Sequence, residues 1–112
     1  MTTKIIPLTP PVFHILVALS NEERHGYGIM LDVSQQTADA IQLGPGTLYG
    51  CLKRMLAAGL VEESDERPDP ELDDQRRRYY RITAQGQQAV SDELRRLMNA
   101  VAAAKMKRVF AS

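Results

Sequence analysis

The feature that most constrains this 112-residue chain is a long amphipathic segment near its C-terminal end. The pattern predicts one helix from Ala84 to near Arg108, about 25 residues and roughly 37 Å long. The preceding residues are too few to cover so long an apolar stripe, so we expect a partner, most simply a second copy of the chain. In the alternative, the helix folds back on its own domain. The stripe follows the four- and three-residue spacing of a coiled coil and is formed by Val90, Leu94, Leu97, Val101 and Ala104, widened by Met98.

The composition is that of an ordinary globular chain, with 44% hydrophobic and 25% charged residues. No apolar run reaches the ~18 residues that span a bilayer, and the N-terminus lacks the apolar core of a signal peptide. The single cysteine, Cys51, excludes an internal disulfide framework and fits a reducing compartment. We therefore expect a cytoplasmic protein and exclude a membrane protein, a secreted precursor and a multidomain enzyme.

The order of the predicted elements indicates a mainly α protein with a small β-hairpin. Three helices are expected, one opened by Thr9 and Pro10, a second over residues 26–37 with Tyr27 and Leu31 on one face, and a third over residues 45–58. A very short strand is expected at residues 41–43, and two longer strands at 60–64 and 77–82 are joined by a polar loop. This is a winged helix-turn-helix over residues 1–83 with a C-terminal dimerisation helix over 84–112, in one compact unit.

The third helix carries the first candidate site. Its apolar face includes Cys51, which we interpret as a small core residue, while its outer face has no acid. Thr47 at its start can bind a phosphate, Tyr49 can reach a phosphate or a base edge, and Lys53 and Arg54 suit phosphate or guanine. An ordinary amphipathic helix with a solvated basic face is the alternative.

The predicted hairpin carries the second candidate site. Eight acids and one base lie between Glu62 and Asp74, and the charge then changes sign. Arginine offers forked donors to phosphate, and Tyr79 alternates with these cations along the strand. A solvated charge run is the alternative, and the acidic loop either keeps the tip soluble or pairs with the arginines. The basic residues here are Arg76, Arg77, Arg78 and Arg81.

The sequence shows no constellation for catalysis or metal binding. His14 and His25, the only histidines, have no ligand partner at a metal-binding spacing, and no nucleophile set or phosphate loop is present. We expect no enzyme activity, no cofactor and no metal site.

Several strings resemble the PadR family of bacterial transcriptional regulators. They are His25-Gly-Tyr27, Gly46-Thr-Leu-Tyr49, Leu52-Lys-Arg-Met55, Gly59-Leu-Val61 and Arg78-Tyr-Tyr-Arg-Ile-Thr83 with Gly86. The resemblance runs from about Leu8 to Val101. The chain departs from the family pattern at Gly50, where proline is usual, and at Ala57, where glutamate is usual.

The resemblance implies a homodimeric repressor that binds a near-palindromic operator in double-stranded DNA and is released by a small-molecule or stress signal. It implies DNA contacts by Thr47, Tyr49, Lys53, Arg54 and the wing arginines. It places dimer contacts on the C-terminal helix and on the first helix, where Phe13 is the candidate. Some short relatives bind flat drugs between tryptophans, and this chain has none. A winged-helix module that binds protein and no DNA is the alternative function, favoured by the zero net charge.

Overall fold

The computed structural model describes residues 7–64, 67–68 and 76–108, with the backbone alone at 67–68 and 76–77. Within these residues the predicted order of elements is confirmed, with a small antiparallel sheet among the helices. The helices and strands are α1 (Pro10–Ala18), β1 (Arg24–His25), α2 (Gly26–Gln36), α3 (Pro45–Ala57), β2 (Val61–Glu63), β3 (Arg67–Pro68), β4 (Arg76–Arg77), β5 (Tyr79–Ile82) and α4 (Ala84–Met106).

The predicted hairpin is present as the antiparallel pair β2 and β5, here called the wing. Val61 lies opposite Ile82 in this pair, and β1 joins the other edge of β5 with Arg24 opposite Tyr80. The pair β3 and β4 lies beyond the wing strands, with Arg67 opposite Arg77. Strand pairing thus continues into the segment predicted as a loop, and residues 65–66 and 69–75 of that segment lie outside the described residues.

One apolar core joins the three short helices to the sheet and to the first half of α4. Its members come from every helix because each presents one apolar stripe inward. Burial of these side chains is the main favourable contribution to folding. The core consists of Ile15, Leu16, Ala18, Leu19, Ile29, Val33, Leu43, Leu48, Cys51, Leu52, Met55, Val61, Tyr80 and Val90.

The end of α3 is fixed by its backbone. Gly59 has φ of +77°, a left-handed conformation that glycine adopts without steric cost. The amide of Gly59 donates to the carbonyl of Leu56, and the amide of Leu60 donates to that of Met55. This pair of bonds is a Schellman motif, and it turns the chain directly into β2.

The start of α4 lies against this same turn. The hydroxyl of Thr83 accepts a 3.0 Å hydrogen bond from the amide of Gly86, which confirms Thr83 as the N-cap. A Cβ at position 86 would overlap the carbonyl oxygen of Leu60 and lie 2.8 Å from Cγ1 of Ile82. Glycine is therefore required there, because α4 begins in direct contact with the end of α3.

One local prediction is wrong. Residues 41–43 form no strand, and the sheet takes its third strand from β1 instead. Tyr27 and Leu31 share one face of α2 as predicted, and this face is exposed, whereas Ile29 and Val33 are buried. Thr9 and Pro10 begin α1 as predicted, and the side chain of Thr9 makes no capping hydrogen bond.

Candidate nucleic-acid interface

The outer face of α3 is basic and accessible. Thr47, Lys53 and Arg54 are exposed on it, while the opposite face lies in the core. Among the described residues neither Lys53 nor Arg54 pairs with a carboxylate. Nη2 of Arg54 lies 3.5 Å from Sγ of Cys51, one turn earlier on the same helix. Both cations are therefore available to an external anion.

The first turn of α3 adds backbone donors to this face. Pro45 occupies the first helical position, and Gly46 and Thr47 follow it and are exposed. The first N–H groups of a helix have no intrahelical partner and carry the positive end of its dipole. This end of the helix therefore suits a phosphate, as the sequence predicts for Thr47.

Tyr49 lies where α3 meets the start of α2. Its side chain is 49% exposed, and its ring lies against Gly26, with Cζ 2.9 Å from where a Cβ at position 26 would lie. In the neighbouring sheet, the pKa of Tyr80 is raised mainly by burial, then by the charge of Glu63. Tyr49 thus combines a packed ring with an exposed edge on the outer side of the helix.

Among the described residues, Arg78 and Arg81 form ion pairs with glutamates, unlike Lys53 and Arg54 of α3. Nε of Arg81 lies 2.7 Å from Oε1 of Glu62, and Nη1 of Arg78 lies 3.3 Å from Oε1 of Glu63. All four side chains are about half exposed. The sequence left open whether acids pair with these arginines, and β2 supplies the pairing acids. Side chains of the other two predicted residues, Arg76 and Arg77, lie outside the described residues.

Tyr79, predicted to contact DNA, is only partly exposed. Its ring meets the ring of His25 edge-on, with 5.3 Å between centroids. His25 in turn caps α2, because its Nδ1 accepts a 3.1 Å hydrogen bond from the amide of Gly28. Tyr79 therefore fixes the wing to the start of α2, a role that the sequence did not indicate.

The residues predicted for dimerisation divide into two sets. Val90 is buried in the core of its own chain, and Phe13, Leu97 and Ala104 are partly buried. The others, here called the α4 stripe, are Leu94, Met98 and Val101, which are 51%, 62% and 48% exposed. Three large apolar side chains in a row at this exposure are unusual for a free helix face.

Two apolar grooves lie where α1 meets α4, and Phe13 lines both. One encloses about 510 Å³ and includes Val17, Val90 and Leu94 in its lining. The other encloses about 330 Å³ and is closed on one side by Glu93.

Glu93 is the polar residue that the sequence did not single out. It is 3% exposed, and its carboxylate accepts hydrogen bonds from Nε and Nη2 of Arg96 at 3.0 and 2.5 Å, and from the amide of Leu8 at 3.4 Å. The hydrogen bond from Arg96 lowers the pKa of Glu93. The signal for this pair is a glutamate three residues before an arginine on one helix.

In the described part of the chain no three potential ligand side chains gather at a metal-binding distance. Nor does any helix there have the length and apolar character needed to cross a bilayer.

The sequence of this chain matches that of known proteins. The family model for the "Transcriptional regulator PadR-like family" matches residues 15–92, which include α3, the wing and the first part of α4. The chain belongs to the PadR-like family. A curated relative, "Transcriptional regulator Rv3488" of Mycobacterium tuberculosis, is 34% identical over 84 residues, covering 75% of this chain and 72% of the relative.

Transcriptional regulators of known structure share the fold. A PadR family transcription regulator from Clostridium difficile R20291 superposes with a TM-score of 0.73 at 20% identity, covering 88% of this chain and 97% of the other. A Streptococcus transcriptional regulator gives 0.71 at 21%, covering 87% and 90%. Bacillus subtilis PadR, solved in complex with operator DNA, gives 0.64 at 20%, covering 74% of this chain and 45% of that one. These likenesses confirm the winged-helix fold with its long C-terminal helix.

Proposed function

We propose that the chain is a homodimeric transcriptional repressor that binds a near-palindromic operator in double-stranded DNA through α3. The observation that carries the proposal is the outer face of α3, where Lys53 and Arg54 are exposed without a carboxylate partner among the described residues. Membership of the PadR-like family and the operator complex of Bacillus subtilis PadR support it. In winged helix-turn-helix proteins the corresponding helix enters the major groove.

Dimerisation through α4 would set the spacing of two such helices. A two-fold dimer presents its recognition helices to successive major grooves about 34 Å apart on one side of the duplex. The α4 stripe supports this part of the proposal, because pairing with a second α4 would remove Leu94, Met98 and Val101 from water. A cytoplasmic location without enzymatic activity follows from this role.

Release by a small molecule completes the proposed function. The groove of about 510 Å³ between α1 and α4 is lined by Phe13, Val17, Val90 and Leu94 among others. A ligand bound there would contact the α4 stripe at Leu94 and would alter the dimer. The apolar side chains of the lining favour an apolar or aromatic compound, and Gln36 and Gln87 offer it hydrogen bonds at the edge of the groove.

The test is the affinity for a duplex that carries the inverted repeat beside the chain's own gene. The double variant Lys53→Ala/Arg54→Ala should bind at least about tenfold more weakly. The salt slope, which is the slope of log affinity against log salt concentration, should be smaller in magnitude by about 0.9 for each phosphate that is no longer neutralised. Arg95→Ala/Lys105→Ala is the matched control, because it removes two exposed cations from α4. Equal affinity and salt slope in wild type and the α3 variant would refute the role of α3. A wild-type chain that binds no duplex would favour the protein-interaction module.

A further inference from the structure

The wing and α3 differ in how their cations are held. The cations of α3 have no carboxylate partner among the described residues, whereas Arg78 and Arg81 of the wing each pair with a glutamate of β2. The strand register explains the pairing in the wing, because β2 and β5 are antiparallel and Glu62 lies directly opposite Arg81. Opposite charges facing each other across a strand pair attract.

Both pairs are accessible to an external phosphate, because all four side chains are about half exposed. Glu63 lies opposite Tyr80 in the strand register, directly beside the pair that Glu62 forms with Arg81. A guanidinium group forms the same forked hydrogen bonds with a phosphate as with a carboxylate. The ion pairs involve Nη1 of Arg78 and Nε of Arg81. A phosphate that binds through either of these nitrogens therefore competes with the glutamate for it.

We infer that Glu62 and Glu63 restrain DNA binding by holding Arg81 and Arg78 in intramolecular ion pairs with which phosphate must compete. The inference rests on the proposed function, since it concerns the same interface. Phosphate contacts carry no sequence information, so the restraint weakens binding to every duplex by a similar factor. The wing then adds little affinity of its own, and the unpaired cations of α3 dominate recognition.

The test measures affinity for the inverted-repeat duplex and for a random-sequence duplex of the same length. Glu63→Gln and Glu62→Gln should each raise both affinities by about two- to fivefold, which is the size of effect that an exposed ion pair supports. Asp92→Asn is the matched control, because it removes one acid from α4, outside the wing. It should leave both affinities within the error of the measurement.

A double-mutant cycle separates competition from simple repulsion between glutamate and DNA. In the Arg78→Gln background, Glu63→Gln should bring no gain, and Glu62→Gln should bring none in the Arg81→Gln background. A gain of the same size in those backgrounds would mean repulsion through space and would overturn the inference. If neither glutamate variant gains DNA affinity in the wild-type background, the inference is also overturned. Normal DNA binding in that case would leave the proposed function intact. A wild-type chain that binds neither duplex would overturn both proposals.

Discussion

The hydroxyl group of Thr83 donates a 2.6 Å hydrogen bond to the carbonyl oxygen of Gly59 and so joins the start of α4 to the end of α3. The hydroxyl oxygen also accepts from the amide of Gly86, and the amide of Thr83 donates to the carbonyl of Leu60. One side chain thus caps α4 and satisfies a carbonyl at the end of α3. In the proposed dimer, this junction would lie between the α4 stripe and α3, the helix that we propose binds DNA.

Replacing Thr83 by valine should lower the free energy of unfolding by about 1–2 kcal/mol. Valine has nearly the same volume but can neither cap α4 nor donate to Gly59, and losing an N-cap typically has an effect of this size. Thr83→Ser is the control, because serine keeps the hydroxyl and should remain within about 0.5 kcal/mol of wild type. Urea denaturation measures both values. A valine variant as stable as the serine variant would show that the junction contributes nothing.

The α4 stripe should mediate self-association. Leu94→Glu/Met98→Glu should convert the dimer to a folded monomer, because it places charges in an apolar contact but at positions exposed in the single chain. Sedimentation velocity measures the mass, and circular dichroism confirms that the helices remain. Arg95→Glu/Asn99→Glu changes two exposed positions on the outer side of the same coiled-coil pattern and should remain dimeric. Dimerisation of the stripe variant would place the interface elsewhere.

The sequence predicted the elements whose signals are local. Helical periodicity predicted α3 and α4, alternation predicted β5, and all three elements are present. The order of elements then sufficed for the winged-helix architecture, since few topologies fit three helices, a hairpin and a long helix.

What the sequence could not predict depends on tertiary partners. β1 has only two residues, Arg24 and His25, and is a strand only because β5 supplies its hydrogen bonds. The pairing of Arg78 with Glu63 depends on the register of two strands, which the polar loop between them does not fix. The sequence placed Tyr27 and Leu31 on one face of α2 but did not indicate which face is buried, because packing against α1 and α3 decides that.

The ion pair of Glu93 and Arg96 should make stability depend on pH. Hydrogen bonding from Arg96 holds the pKa of Glu93 below its ordinary value of 4.5. Because the folded-state pKa is lower than the unfolded one, the stabilisation is fully present at neutral pH and is lost as the pH falls below about 4.5 through the folded-state value. Wild type should therefore exceed Glu93→Gln in unfolding free energy at pH 7, and this difference should shrink in acid.

Urea denaturation of wild type and Glu93→Gln at several pH values between about 7 and 3 measures this difference. Arg96→Gln is the companion variant, because it removes the donors and leaves the carboxylate in place. In Arg96→Gln, Glu93 loses the hydrogen bonds that lower its pKa. The part of the stability that depends on acid pH should therefore decrease in this variant, as it does in Glu93→Gln. A difference between wild type and Glu93→Gln that stays constant from neutral to acid pH would show that the carboxylate is not stabilised in its charged form.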